Sequence, residues 1–205
     1  MSIDLALEIA GFSLGLLYLW WEYHADARLW LASVVMPAIS MWIYFRKGLY
    51  ADFGINIYYL AIAAYGYWAW TRSARSKDGH AGASRKEKAM PVRHIPFRVA
   101  LGSAAVFAVV WAAIYLFLSR CTDSNVPLCD AFTTALSIVA LWLLARKYAE
   151  QWLAWMVVDA VCVGLYIYKG IPLYAALYAI YTVIAAFGYR KWLDIMKQQN
   201  DPCNE

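Results

Sequence analysis

Between Gln151 and Tyr168 the chain carries a single charged residue, Asp159, with eight uncharged residues before it and nine after. Burying a carboxylate in such an apolar run costs at least roughly 2.5–3.5 kcal/mol, so it is expected to face a cavity and meet a partner. Trp152 and Trp155 precede it in the spacing W-x-x-W-x-x-x-D, and offsets of three and seven put all three on one helical face. Two indoles and a carboxylate on one stripe suit a cationic aromatic ring, through cation–π attraction, stacking and charge neutralisation. The competing reading of Trp152 is an anchor at the membrane interface, where indoles collect.

A second set lies earlier in the chain. Asp52, Asn56 and Tyr59 stand at i, i+4 and i+7, and an amide in hydrocarbon needs a partner. Tyr178 and Tyr181 add hydroxyls near the end of the chain, and Glu22 closes an early apolar run as Trp20-Trp21-Glu22. Such hydroxyls and amides suit a sugar, an alcohol or an aminopyrimidine; the alternative is hydrogen bonding that holds helices together. Glu22 reads either as a solvated interface acid or as a ligand group. Thr133, Thr134 and Ser137 are expected to bond backbone.

Absent motifs narrow the chemistry. The three histidines (24, 80 and 94) form no H-x-x-x-H and meet no cysteine cluster, so neither a metal site nor another cofactor is expected. No P-loop lysine, G-x-S-x-G or nucleophile–base pair is present, so an enzyme is not expected. Cys121 and Cys129 are close enough in sequence to form a local disulfide in an oxidising compartment.

The elements that must position these groups follow from composition. With 63% of its 205 residues hydrophobic and 16% charged, the chain departs from soluble proteins and reads as all-α and integral to a lipid bilayer. Charge-poor runs at about 6–23, 29–45, 53–71, 97–118, 131–145, 151–168 and 171–190 predict seven transmembrane helices. No cleavable signal peptide is evident. With the N-terminus outside, the inner segments hold fourteen Lys and Arg against four outside, which predicts N-out and C-in. The basic stretch 72–96, with its Gly, Ser and Ala, reads as a flexible cytoplasmic linker and not as a nucleic-acid site.

The chain also contains itself twice. Shifted by 122 positions, Tyr44, Lys47-Gly48, Tyr59, Ile62-Ala63-Ala64, Gly66-Tyr67 and Trp70 fall on Tyr166, Lys169-Gly170, Tyr181, Ile184-Ala185-Ala186, Gly188-Tyr189 and Trp192. Identities number 19 over the 57 positions 14–70. Each repeat has three spans, and the fourth turns the chain once more, so both copies share one orientation in a 3+1+3 parallel-repeat arrangement. The division is 1–71 for the first repeat, 72–96 for the linker, 97–118 for the inverting helix, 119–130 for an external loop, 131–192 for the second repeat and 193–205 for a cytoplasmic tail. A site between such repeats near mid-membrane, reached by rocking, is the expectation for a transporter. Asp159 falls on Pro37 in the other copy, so the duplicated scaffold does not require an acid there.

The string K-x-x-E-x-W-x-x-W-x-V-V-D…Y-x-Y-K-G…A-L-Y-x-I-Y…A-x-x-G-Y-x-x-W from Lys147 to Trp192 resembles the Pnu family of bacterial vitamin transporters. So does G-L-Y-A-D…I-N-x-Y-Y…Y-G-Y-x-x-W from Gly48 to Trp70. The resemblance implies a full-length SWEET-like fold in the bacterial inner membrane, often as a homotrimer. It implies facilitated diffusion of an unphosphorylated vitamin, trapped by a separate cytoplasmic kinase or pyrophosphokinase. PnuC-like members carry nicotinamide riboside and PnuT-like members thiamine, both with a cationic ring and a hydroxyl. Thiamine is the expectation here, because no span except the sixth, which begins at Gln151, offers a glutamine, and because Glu22, Asp52 and Asp159 suit an aminopyrimidine. Nicotinamide riboside is the alternative. A ligand-sensing receptor and a proton-coupled carrier rank below both.

Overall fold

The computed structural model describes residues 16–47, 50–75, 90–122, 125–170 and 172–200. Among them are seven helices and no strand: α1 (16–23), α2 (Leu29–Lys47), α3 (Tyr50–Arg75), α4 (Phe97–Cys121), α5 (Pro127–Ala145), α6 (Gln151–Tyr168) and α7 (Pro172–Asn200). Of these α4, α5 and α6 are long and apolar enough to cross a membrane by length and composition. The chain divides into two compact units, Met1–Pro91 and Val92–Glu205.

In the first unit α2 packs on α3. Trp30 is almost fully buried and meets Trp70 edge-on, with ring centroids 5.6 Å apart. Gly66 makes that approach possible, because a Cβ there would run into the Trp30 indole. In the second unit α4 packs on α5, α5 on α6 and α6 on α7. Phe107 stacks on Trp111 and both meet Phe132 edge-on, which joins α4 to α5. No residue of α4 is buried, and Phe97, Leu101, Val106, Val109, Leu116 and Phe117 stand exposed along it, an apolar surface suited to lipid.

The 122-residue repeat is reproduced in local geometry. The turn leaving α1 has Ala25 at φ 54°, and the turn leaving α5 has Lys147 at φ 53°. In the first, Asp26 N–H donates to the Trp21 carbonyl (2.9 Å) and Ala25 N–H to Glu22 (3.0 Å); in the second, Tyr148 N–H donates to Leu143 (3.0 Å) and Lys147 N–H to Leu144 (2.9 Å). This paired 6→1 and 5→2 closure is a Schellman motif, and it satisfies carbonyls that a helix end otherwise leaves bare. Trp152 then repeats Trp30: it meets Trp192 edge-on at 6.0 Å and lies over Gly188, where a Cβ would stand 2.7 Å from the indole.

Several expected boundaries shift. Helix α5 begins at Pro127, a residue preorganised for a first helical turn, and α4 runs to Cys121, so the segment between them is shorter than 119–130. Helix α7 continues to Asn200, so most of the anticipated tail is helical; its sequence K-W-L-D-I-M-K-Q-Q-N holds no Gly or Pro to stop it. The last residues of the linker bond to the second unit's own helices and turn. Arg93 pairs with Tyr148 in an isolated bridge through Arg93 N–H to Lys147 (3.1 Å) and Ala149 N–H to Arg93 (3.1 Å), and Val92 N–H donates to the Gln199 side chain (3.1 Å). Residues 76–89, most of the linker, and residues 1–15 and 201–205 lie outside the described ones.

Candidate functional site

Helix α6 carries the candidate site on one stripe. Gln151, Trp155, Asp159, Cys162 and Tyr166 succeed one another at intervals of four or three, which keeps them within one face of a 3.6-residue helix. Asp159 and Cys162 are buried and Trp155 and Tyr166 half-buried. Helix α7 brings tyrosines to this face: Tyr166 stacks on Tyr174 (5.2 Å, 26°) and on Tyr178 (5.2 Å, 14°), and Tyr178 meets Tyr181 edge-on at 5.9 Å. Tyr178 and Tyr181 both lie within electrostatic reach of Asp159. The structure therefore brings together three expected residues, Asp159, Tyr178 and Tyr181, in the α6–α7 interface, with Trp155 one turn away on the Asp159 stripe.

Asp159 is 7% exposed and forms no ion pair among the described residues. A buried carboxylate without a counter-cation is costly, and a bound cation would remove that cost. The aromatic faces beside it add cation–π attraction.

Trp152 is placed differently. It is 2% exposed and enclosed by Trp192 and Gly188, as Trp30 is by Trp70 and Gly66. Shared by both repeats, this contact is part of the scaffold. The sequence spacing put Trp152 and Trp155 on one face, but an arc wide enough for both also reaches the α6–α7 packing seam, and Trp152 lies in that seam.

In the first unit Asn56 is buried on α3 and Tyr59 half-buried, its ring 6.0 Å from Tyr58. Glu22 is 2% exposed, with the Tyr18 hydroxyl one turn before it within hydrogen-bonding reach, so it is not a solvated acid. Asp52 falls in the first turn of α3, and its side chain lies outside the described residues. Thr133 and Thr134 donate to backbone carbonyls of Cys129 and Asp130, as expected. Cys121 and Cys129 are free thiols. Among the described residues no group of His, Cys, Asp and Glu could hold a metal ion.

Gln151 is the residue that sequence reasoning passed over. It is fully buried, and neither atom of its side-chain amide has a hydrogen-bond partner in the described chain; the Trp155 indole N–H is likewise buried and unpartnered. Such groups are rare in folded proteins and call for an explanation. A signal was present in the repeat: the mate of Gln151 is Leu29, so an amide occupies a position that the other copy fills with a buried leucine.

Comparison with known proteins adds a family match over residues 5–194, to the nicotinamide mononucleotide transporters. The chain is 26% identical over 181 residues to the nicotinamide riboside transporter PnuC of Escherichia coli (strain K12), covering 77% of this chain and 72% of that one. It is 27% identical over 188 residues to the riboflavin/roseoflavin transporter RibM of Streptomyces davaonensis, covering 90% and 83%. The crystal structure of the vitamin B3 transporter PnuC superposes with a TM-score of 0.63 at 22% identity, over 90% of this chain and 79% of that one.

Proposed function

The chain belongs to the nicotinamide mononucleotide transporter family, and from that premise we propose that it lets nicotinamide riboside diffuse across the bacterial inner membrane. The observation that carries the reading is Asp159, buried beside tyrosines and without an ion-pair partner among the described residues. It is the counter-charge a fixed pyridinium ring needs, with Trp155 offering an indole face. Gln151 lies eight residues before Asp159, about 12 Å along α6, and its open amide suits the ribose hydroxyls at the far end of such a ligand. That amide removes the main reason for preferring thiamine, which none of the relatives above carries in its name. Asn56, Tyr59, Glu22 and Asp52 are retained as substrate-contacting residues of the first repeat, whereas Trp152 is left to packing.

The 3+1+3 arrangement, with the N-terminus outside, supplies the two halves for alternating access, and the carrier works as a homotrimer. Phosphorylation by a separate cytoplasmic kinase keeps the gradient inward. The relative named for riboflavin, matched over 90% of this chain and 83% of its own, supports a flavin as the second reading.

Isothermal titration of the purified protein with nicotinamide riboside, thiamine and riboflavin separates these. Binding of the riboside, together with counterflow in proteoliposomes, is expected. Asp159→Asn should weaken it at least a hundredfold, the scale of about 3 kcal/mol for removing one partner of a buried charge pair. Heat with riboflavin alone would sink the riboside reading, and binding without counterflow would make the protein a receptor.

A further inference from the structure

The α6 stripe does not end at Tyr166. One further interval of three reaches Lys169, the C-cap of α6, on the face that carries Asp159 and Tyr166. Its Nζ lies 3.2 Å from Asp130 Oδ1. Each charge stands where its own helix favours it, Asp130 in the first turn of α5 and Lys169 at the C-cap of α6. The pair is about one-third exposed at each partner, so it adds little to stability. Its place is what matters. Cys162, midway along the stripe, is within electrostatic reach of Asp159 on one side and of Asp130 and Lys169 on the other. At the 122-residue offset the same two positions hold Glu8 and Lys47, an acid and a lysine again in the same order.

We propose that Asp130 is a specificity residue: it holds and neutralises Lys169 at the mouth of the Asp159 stripe, so that a cation can enter from that end. With Asp130 removed, an uncompensated ammonium would stand over the entrance and repel the charge that Asp159 is placed to receive. The mouth is the one that the Lys and Arg distribution assigns to the outside. The naming of nicotinamide riboside as the cation rests on the function proposed above; the charge filter itself does not.

The test uses the full chain in nanodiscs, with Cys121, Cys129 and Cys203 replaced by serine so that Cys162 is the only thiol. Cys162 is reacted with neutral methyl methanethiosulfonate and with its trimethylammonium-ethyl analogue. In both reactions the thiolate attacks the reagent sulfur, a mixed disulfide forms and a sulfinate leaves. The ratio of the cationic to the neutral rate should fall about tenfold in Asp130→Asn, the lower end of electrostatic focusing effects. It should return to the starting value when Lys169→Gln is added. An unchanged ratio in Asp130→Asn overturns the proposal, as does a ratio that stays low in the double variant, or a Cys162 that reacts with neither reagent.

A transport arm connects the filter to substrate. In Asp130→Asn the KM for nicotinamide riboside should rise about tenfold, while that for its uncharged dihydropyridine form stays put. Equal loss for both forms marks a structural role and overturns the filter. If the parent protein carries neither form, the substrate reading fails, and the thiol ratio still decides the filter.

Discussion

The turn leaving α1 and the turn leaving α5 are built from the same backbone hydrogen bonds at a fixed offset, yet their side chains answer to different neighbours. Two residues after the motif the first turn has Arg28, which folds back on Asp26 (2.8 Å); the hydrogen bond and charge of Asp26 hold the guanidinium pKa above its ordinary value. The second has Glu150, which accepts from the Ile95 N–H (2.9 Å) and meets His94 Nδ1 (2.7 Å), fastening the end of the linker beside the start of α6. One copy closes on itself. The other has become an anchor for the segment that leads into α4, and it is also the copy whose next residue is the buried Gln151. Duplication conserved what the backbone needs at a helix end and left the side chains free to take on site and tether.

The sharpest way to break this comparison is at the two glycines. Gly188→Ala would drive a Cβ into Trp152, and the matching substitution at Gly66 would meet Trp30 more closely still. Neither indole is the loose end of a flexible chain, so each variant should lose at least about 1–3 kcal/mol, the scale for overpacking, read as a lower unfolding midpoint in detergent. Equal tolerance at both sites would mean the shared indole–glycine contact is not what holds the helix pairs.

A smaller effect separates the turns themselves. Glu150→Ala removes two charge-assisted contacts to residues 94 and 95 and should cost about 1–2 kcal/mol, whereas Arg28→Ala should leave the midpoint where it was. Proteolysis of the 90–96 segment should quicken in the Glu150 variant alone.

The smallest concerns the left-handed residues. Ala25→Gly relieves an L-residue of its positive φ and should stabilise by about 0.5–1 kcal/mol. Lys147→Gly should bring no such gain, because Lys147 is 96% buried and its side chain is lost with the substitution. A gain at both would show that backbone strain outweighs side-chain burial in the two copies alike.

Much of this could be read from the residues. Helices long enough to span, a duplication at 122 residues, an acid alone in an apolar run and the Pnu resemblance all depend on composition and spacing along the chain, which survive without any knowledge of packing. Local periodicity also placed Trp155 and Asp159 on one face of α6, whereas the meeting of that face with Tyr178 and Tyr181 came from the packing of α7. Helix ends were less legible, because Pro127 and the polar run after Lys191 extend helices past the apolar stretches from which they were drawn.

What only the tertiary structure decided is which polar or aromatic group on a face is spent on packing and which is left open. Trp152 and Trp155 are three residues apart and equally plausible on a helical wheel; a glycine and an indole on α7 take one and leave the other. Glu22 and Gln151 each stand where the other repeat has a buried leucine, Leu144 and Leu29, and both resemble ordinary helix-end residues until the fold shuts out water. Burial is a property of contacts between distant segments, and desolvation is what turns a carboxylate or an amide from a surface group into one that must find a partner.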